Sequence, residues 1–209
     1  MKEYIKNLNN HLGDIPICFG HSGELDSIVE FLEYLCSEIK ENGNILEIGF
    51  NSGHSAAVFL ENADRNVVSF DICQTHWSGT KCCEKAKRYI DLTYPERHSL
   101  IEGDSKYTFP EFLLGNNEDV AAIFVDGDHS YDMASTDLNN ALNLSKKGTI
   151  IIMDDVTQTA EMGHTVGPTK AWNEAIGFGR VLEVERCEFI DNSFREYIPV
   201  RGTAWGYVL

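Results

Sequence analysis

Two short acidic runs carry most of the chemistry in this chain, Val125-Asp126-Gly127-Asp128-His129-Ser130-Tyr131 and Met153-Asp154-Asp155-Val156. Each follows an apolar run of strand length, Ala121–Val125 and Ile150–Met153. If those strands are neighbours, both carboxyl ends open onto one crevice and four carboxylates gather there. Like charges 4 Å apart repel by about 4 kcal/mol even at an effective dielectric of 20. Such a cluster holds only if some members are protonated or a cation sits among them. Oxygen ligands select a hard ion, Mg²⁺ before Ca²⁺ or Mn²⁺. Helix capping accounts for one aspartate readily and for the adjacent Asp154-Asp155 pair poorly. His129 is either a proton carrier or a loop hydrogen-bonding group.

A second constellation lies earlier. The run Glu47-Ile48-Gly49-Phe50-Asn51-Ser52-Gly53-His54-Ser55 places two glycines between a strand and a helix. Gly49 and Gly53 allow a tight turn and close approach of a ligand to the backbone. The helix that follows offers free N–H groups to an anionic or carboxylate-bearing ligand. Asp71 ends the next apolar run, where a carboxylate can accept hydrogen bonds from a ribose diol. A dinucleotide site would need three glycines as G-x-G-x-x-G, whereas this loop has G-x-x-x-G.

The elements that must position these residues follow from periodicity. Strands are predicted at Ile45–Ile48, Val67–Ile72, Ser99–Glu102, Val120–Val125 and Thr149–Met153. Helices are predicted between them at His54–Asn62, Lys81–Leu92, Tyr107–Leu114 and Tyr131–Leu144. Strands separated by helix-length crossovers require a parallel sheet covered on both faces. Leu25, Ile28, Val29, Leu32, Leu35 and Ile39 mark an earlier helix, which Glu41-Asn42-Gly43-Asn44 stops. A small helix and a loop precede it. Beyond Asp155 the spacing predicts a loop over Thr157–Pro168, a short helix over Thr169–Phe178, and two β pieces, Val181–Phe189 and Tyr197–Val208. Joined by Ile190–Glu196, those two form an antiparallel hairpin at one edge of the sheet. The whole is an α/β, doubly wound, mostly parallel seven-stranded sheet in one domain spanning 1–209. Its parts are an N-terminal helical cap (1–43), a core (44–155) and a C-terminal portion (156–209) with substrate loops.

Composition narrows the partners. With 209 residues the chain supports one buried α/β core. A net charge of -16 disfavours phosphate backbones and anionic membrane surfaces, so no nucleic-acid or membrane partner is expected. No apolar run is long enough to span a bilayer, and Met1–Lys6 lacks a signal-peptide run, so the expected location is cytoplasmic. Six cysteines in that setting read as reduced thiols. Cys73, His76, Cys82 and Cys83 match no paired zinc spacing and read as a loop and helix that carry thiols.

Glu47-x-Gly49-x-x-x-Gly53 resembles motif I of the class I methyltransferases that depend on S-adenosylmethionine (SAM). Gly103-Asp104-Ser105 resembles that family's adenine-contacting turn. The resemblance covers about residues 45–155. It implies a Rossmann-like methyltransferase fold, with SAM bound by Glu47, Gly49, Asn51, Gly53, Ser55, Asp71, Gly103, Asp104, Ser105 and Asp126. The acidic runs resemble those of cation-dependent O-methyltransferases of the catechol type. Their Asp-Asp pair is closer to the type that methylates sugar hydroxyls of macrolide and aminocoumarin antibiotics. This resemblance implies a divalent cation, Mg²⁺ first, on Asp126, Asp154 and Asp155. It puts the general base on Asp128, while the lysine of the catechol type is replaced by His129, so the base is Asp128 or His129.

A metal-assisted O-methylation of a small hydroxylated molecule, a sugar or phenol, is the expected function. The metal would acidify the hydroxyl, a base would take its proton, and the oxyanion would attack the sulfonium methyl in line. Two rivals stay open: a metal-independent methyltransferase for another small acceptor, and a non-catalytic SAM-binding accessory protein. The acceptor pocket is expected from the first twenty residues, Thr157–Pro168 and Ile190–Glu196, with His21, Trp77, His164 and Trp172 as candidate walls. Small enzymes of this type often form homodimers, and the sequence does not carry the oligomeric state.

Overall fold

Seven strands form a single sheet in the computed structural model, which describes residues 1–13, 22–74, 80–115, 119–159, 163–190 and 200–209. In chain order the strands are β1 (Asn44–Ile48), β2 (Val67–Asp71), β3 (His98–Glu102), β4 (Val120–Val125), β5 (Ile150–Asp154), β6 (Val181–Ile190) and β7 (Val200–Val208). The helices are α1 (Glu3–Leu12), α2 (Asp26–Glu38), α3 (His54–Asn62), α4 (Thr80–Thr93), α5 (Ser105–Gly115), α6 (Tyr131–Leu144) and α7 (Gly163–Gly177). A short 3₁₀ turn, Ser22–Glu24, precedes α2. The strand order is β3-β2-β1-β4-β5-β7-β6. β1 to β5 run parallel, and β7 pairs antiparallel with both β5 and β6.

The period-two alternation of each strand divides the core into two layers. Ile45, Val67, Ala122, Phe124, Ile150 and Ile152 face a layer closed by α1 to α4. Leu46, Val68, Phe70, Ile123, Ile151 and Met153 face the other, closed by α5, α6 and α7. β5 is buried along its whole length, as a strand covered on both sides must be. The chain reverses its winding between β1 and β4, so their carboxyl ends diverge there and leave the crevice where such sheets bind ligands.

The expected elements are present with small shifts at their ends. α2 stops at Glu38, ahead of the glycine expected to end it. The C-terminal hairpin is threaded so that β7 lies inside and β6 forms the edge. The larger correction concerns α7, which begins at Gly163 and runs through Pro168, where a loop was expected. Packing decides this: Gly167 and Pro168 are buried, and a Cβ on Gly167 would stand 2.3 Å from the carbonyl oxygen of His129. Among the described residues, no helix is long and apolar enough to cross a membrane.

Candidate active site

The glycine loop is fixed by β1 and its two neighbours. Gly49 has φ +98, and a Cβ there would lie 1.9 Å from the Asp126 carbonyl oxygen. Its glycine is therefore required first by the contact between the ends of β1 and β4. Asp71, at the end of β2, holds the loop from the other side. Its Oδ2 accepts the N–H groups of Phe50 at 2.8 Å and Asn51 at 2.7 Å, and its Oδ1 accepts that of Cys73 at 2.6 Å. Phe50 is buried and stacks on His98 at 5.1 Å. Gly53 occupies the N-cap position of α3 in a left-handed conformation and supplies no side-chain cap.

Beneath the loop lies a buried polar chain. Glu47 is fully buried, its Oε2 accepts the Ser69 hydroxyl, and its Oε1 has no partner among the described residues. Burial pushes its carboxyl up to about 7, against the pull of the Ser55 and Ser69 hydroxyls. His98 Nε2 lies 2.9 Å from the same Ser69 hydroxyl, and burial, helped by the charge of Lys87, pushes His98 down to about 4. Across the crevice, Gly103 N–H donates to the Asp71 carbonyl at 2.9 Å, and the exposed Asp104 caps the start of α5 by accepting the Lys106 N–H at 2.9 Å. Ser105 donates to Asp137 at 2.8 Å. Asp137 is an acid on the apolar face of α6, and its burial among Ala134, Leu138 and Ala141 was a signal available in the helical spacing.

The second acidic group is arranged differently from the four-carboxylate cluster expected. Asp126, His129 and Asp155 converge, with one ligand atom from each lying within 4.8 Å of the others. His129 Nε2 is 3.0 Å from Asp155 Oδ2 and 3.9 Å from Asp126 Oδ1. His164 Nε2 approaches the other Asp155 oxygen at 3.8 Å. Asp154, the neighbour of Asp155, is held elsewhere: its Oδ2 receives Arg201 Nη2 at 3.2 Å and its Oδ1 the Thr203 hydroxyl. The register of β5 on β7, which sets Asp154 opposite Thr203, makes this possible. The exposed Asp128 turns to its own loop and accepts the Ser130 N–H at 2.7 Å. It does not join the cluster. Trp172 is no pocket wall, being fully buried with its Nε1 donating to Glu183. His21, His76 and Trp77, and residues 14–20, 160–162 and 191–199 of the expected pocket segments and their surroundings, lie outside the described residues.

The charges of this group are interdependent. Burial and the charge of Asp154 push Asp126 well above the usual carboxylate range, and the same two causes raise Asp155. Burial of His129 opposes its charge, but the neighbouring carboxylates of Asp126, Asp155 and Asp154 outweigh it, raising His129 to about 9. Fully ionised, the three carboxylates would exceed Arg201 and His129 by one negative charge, which is why the buried Asp126 is pushed toward its protonated form. Asp126 and Asp155 are oxygen donors that suit a hard divalent cation, with His129 beside them and Asp154 committed behind them. Arg201 escaped the sequence reading because only strand register brings it to Asp154.

Over residues 46–156, more than half of the chain, the sequence matches the family described as a methyltransferase domain. The chain belongs to that family. No curated protein matches it in sequence. Among solved structures this methyltransferase is similar to an O-methyltransferase from Bacillus cereus in complex with S-adenosylhomocysteine (SAH), at TM-score 0.76 and 17% identity, covering 100% of this chain and 92% of that one. It is similar to an O-methyltransferase of tomaymycin synthesis from Streptomyces achromogenes in complex with SAM, at TM-score 0.66 and 16% identity, covering 100% and 90%. It is also similar to a TDP-rhamnose 3'-O-methyltransferase of calicheamicin biosynthesis, at TM-score 0.62 and 17% identity, covering 98% and 93%. At these identities the likeness establishes the fold.

Proposed function

We propose that this SAM-dependent methyltransferase methylates a hydroxyl oxygen of a small molecule, a sugar or a phenol, with His129 as general base. The observation that carries this reading is the His129–Asp155 pair. The imidazole sits 3.0 Å from a buried carboxylate, its side chain remains 43% exposed, and it lies at the carboxyl ends of β4 and β5 beside the glycine loop. A carboxylate that receives Nε2–H fixes the ring, and Nδ1 takes the proton of a substrate hydroxyl once His129 is neutral, a form that its raised pKa of about 9 places in the alkaline range. Asp128 is a poorer base, because its carboxylate is bound to the Ser130 N–H and lies apart from Asp155.

On the cofactor side, Asp71 Oδ1 keeps a lone pair for a ribose hydroxyl after binding the Cys73 N–H. Glu47 Oε1, unpartnered among the described residues, is an acceptor available to a cationic part of the cofactor. The remaining task is alignment of oxygen, methyl carbon and sulfur, which the fixed loop and the fixed imidazole share. A divalent cation, Mg²⁺ first, held by Asp126 and Asp155 would neutralise surplus carboxylate charge and, as a Lewis acid, make a nearby hydroxyl more acidic. The O-methyltransferase likenesses, one of them acting on a nucleotide sugar, support oxygen as the acceptor atom.

A metal-independent version has its own support, since the His129 ring lies between Asp126 and Asp155 and can balance them as imidazolium. Incubation with SAM and a panel of nucleotide-linked sugars and catechols, with and without EDTA, separates the readings. Acceptor-dependent SAH release with a one-methyl mass gain, stopped by EDTA and restored by Mg²⁺, is the expected result. EDTA-insensitive turnover favours the metal-independent version. SAH release with an amine or carboxylate acceptor and none with a hydroxyl overturns O-methylation.

A further inference from the structure

A second group of ligand-type side chains lies on the other side of the glycine loop, away from the Asp126–Asp155 cluster. A carboxylate oxygen of Asp71 and the sulfurs of Cys73 and Cys83 lie within 4.8 Å of one another. The sequence spacing conceals this group, because its oxygen ligand comes from a strand end and one sulfur from a helix. Cys73 is 4% and Cys83 2% exposed. Neither sits there by loose packing. Cys73 adopts φ +52, a left-handed conformation disfavoured for a residue with a side chain, and its N–H is held by Asp71. Cys83 projects from the first turn of α4, and its thiol donates to the Asn51 carbonyl at 3.3 Å. Asn51 carries a further buried oxygen, Oδ1, with no partner among the described residues.

We propose that Asp71, Cys73 and Cys83 form a binding site for a thiophilic divalent cation of the zinc type, whose occupancy excludes SAM. Tetrahedral zinc binds sulfur at about 2.3 Å and carboxylate oxygen at about 2.0–2.2 Å, which sets ligand atoms roughly 3.5–3.8 Å apart. From a separation of up to 4.8 Å the three ligand atoms therefore need to close by no more than about 1.3 Å. On binding, two metal–sulfur bonds and one metal–oxygen bond form, and two thiol protons leave to solvent. No electron transfer is involved. Two thiolates and a carboxylate satisfy the ion's charge and leave a fourth position open. Softness separates the two sites: oxygen ligands favour Mg²⁺, whereas thiolates favour zinc and its relatives. Competition follows because the ion would use the Asp71 oxygen assigned above to the cofactor ribose, so this part rests on that assignment.

Co²⁺ titration of the purified, reduced protein tests the site, because cobalt bound to thiolate gives a near-ultraviolet charge-transfer band. One equivalent should produce the band, and Zn²⁺ should abolish it. Cys73→Ser and Cys83→Ser should each weaken Co²⁺ binding by at least about tenfold. Cys82→Ala should leave the band intact, since its sulfur is not in the group. Thermal melts identify any variant that fails to fold, and the wild-type band decides the question without it. Absence of the band in wild-type protein, or its persistence in both folded serine variants, overturns the site. Saturating SAH should weaken Co²⁺ binding at least about tenfold. If the band forms but SAH leaves Co²⁺ affinity unchanged, competition is overturned. Binding of SAH to Asp71→Ala then locates the error. Retained affinity removes the ribose assignment, and lost affinity removes the overlap of the two ligands.

Discussion

Arg201, on β7, donates to the Asp154 carboxylate at 3.2 Å, with side-chain exposures of 6% and 2% for the two partners. The pair ties the antiparallel hairpin to the end of β5, one residue from Asp155. It turns one of two adjacent aspartates inward as a neutralised structural group and leaves the other for the crevice. Buried pairs contribute little net stability when intact, yet removing one partner leaves an uncompensated charge.

Arg201→Met should therefore destabilise the protein by about 3–5 kcal/mol. Arg201→Met with Asp154→Leu should recover much of that loss. Denaturant titration of the two variants checks this. Equal stabilities for wild type and Arg201→Met would show that Asp154 finds another partner.

The base can be assigned by comparing two neighbouring residues. His129→Gln should lower turnover by about 10²- to 10⁴-fold while SAM binding persists. Asp128→Asn should cost much less, because its carboxylate serves a local N–H. Single-turnover rates and calorimetric SAM binding on both proteins make the comparison.

Gly49→Val should reduce folded yield and not merely cofactor affinity, because its Cβ would overlap the Asp126 carbonyl at 1.9 Å. Asp71→Ala is the milder change. It leaves the N–H groups of Phe50, Asn51 and Cys73 without their acceptor, costing about 1–3 kcal/mol for each that water cannot reach. Circular dichroism and SAM calorimetry on the two variants separate folding from binding.

Glu47 provides a pH signature. Its folded pKa, about 7, lies above its ordinary value of 4.5, so the folded state holds the proton more tightly than the unfolded chain. Its contribution to stability is fully present below about pH 4.5 and is lost as pH rises through about 7. Glu47→Gln keeps the shape without the charge and should be more stable than wild type at pH 8 by up to about 3 kcal/mol. The gain should vanish by pH 4. Chemical denaturation of both proteins across this range gives the difference, and taking it between two proteins cancels most of the opposite titration of His98. A difference that does not change with pH would place the Glu47 proton elsewhere.

Much of this protein was legible in one dimension because periodicity is local physics. Runs such as Ala121–Val125 and Ile150–Met153 must be strands covered on both faces, and the helix-length segments between them force parallel pairing. Hence the sheet, the glycine loop, Asp71 at its edge and two acidic ends at one crevice could all be anticipated. Side-chain direction and strand register could not. Whether Asp154 or Asp155 enters the crevice depends on the opposite faces taken by successive residues at a strand end and on Arg201 and Thr203 arriving from β7. Whether Asp128 or His129 reaches Asp155 depends on a loop turned by the Ser130 N–H and pressed by Gly167 of α7. The meeting of Asp71, Cys73 and Cys83 joins a strand end to a helix across the glycine loop. The sequence by itself determined which chemical groups gather at the carboxyl edge of the sheet. Tertiary structure decided which face one another, because burial, register and the pairing of charges depend on segments distant along the chain.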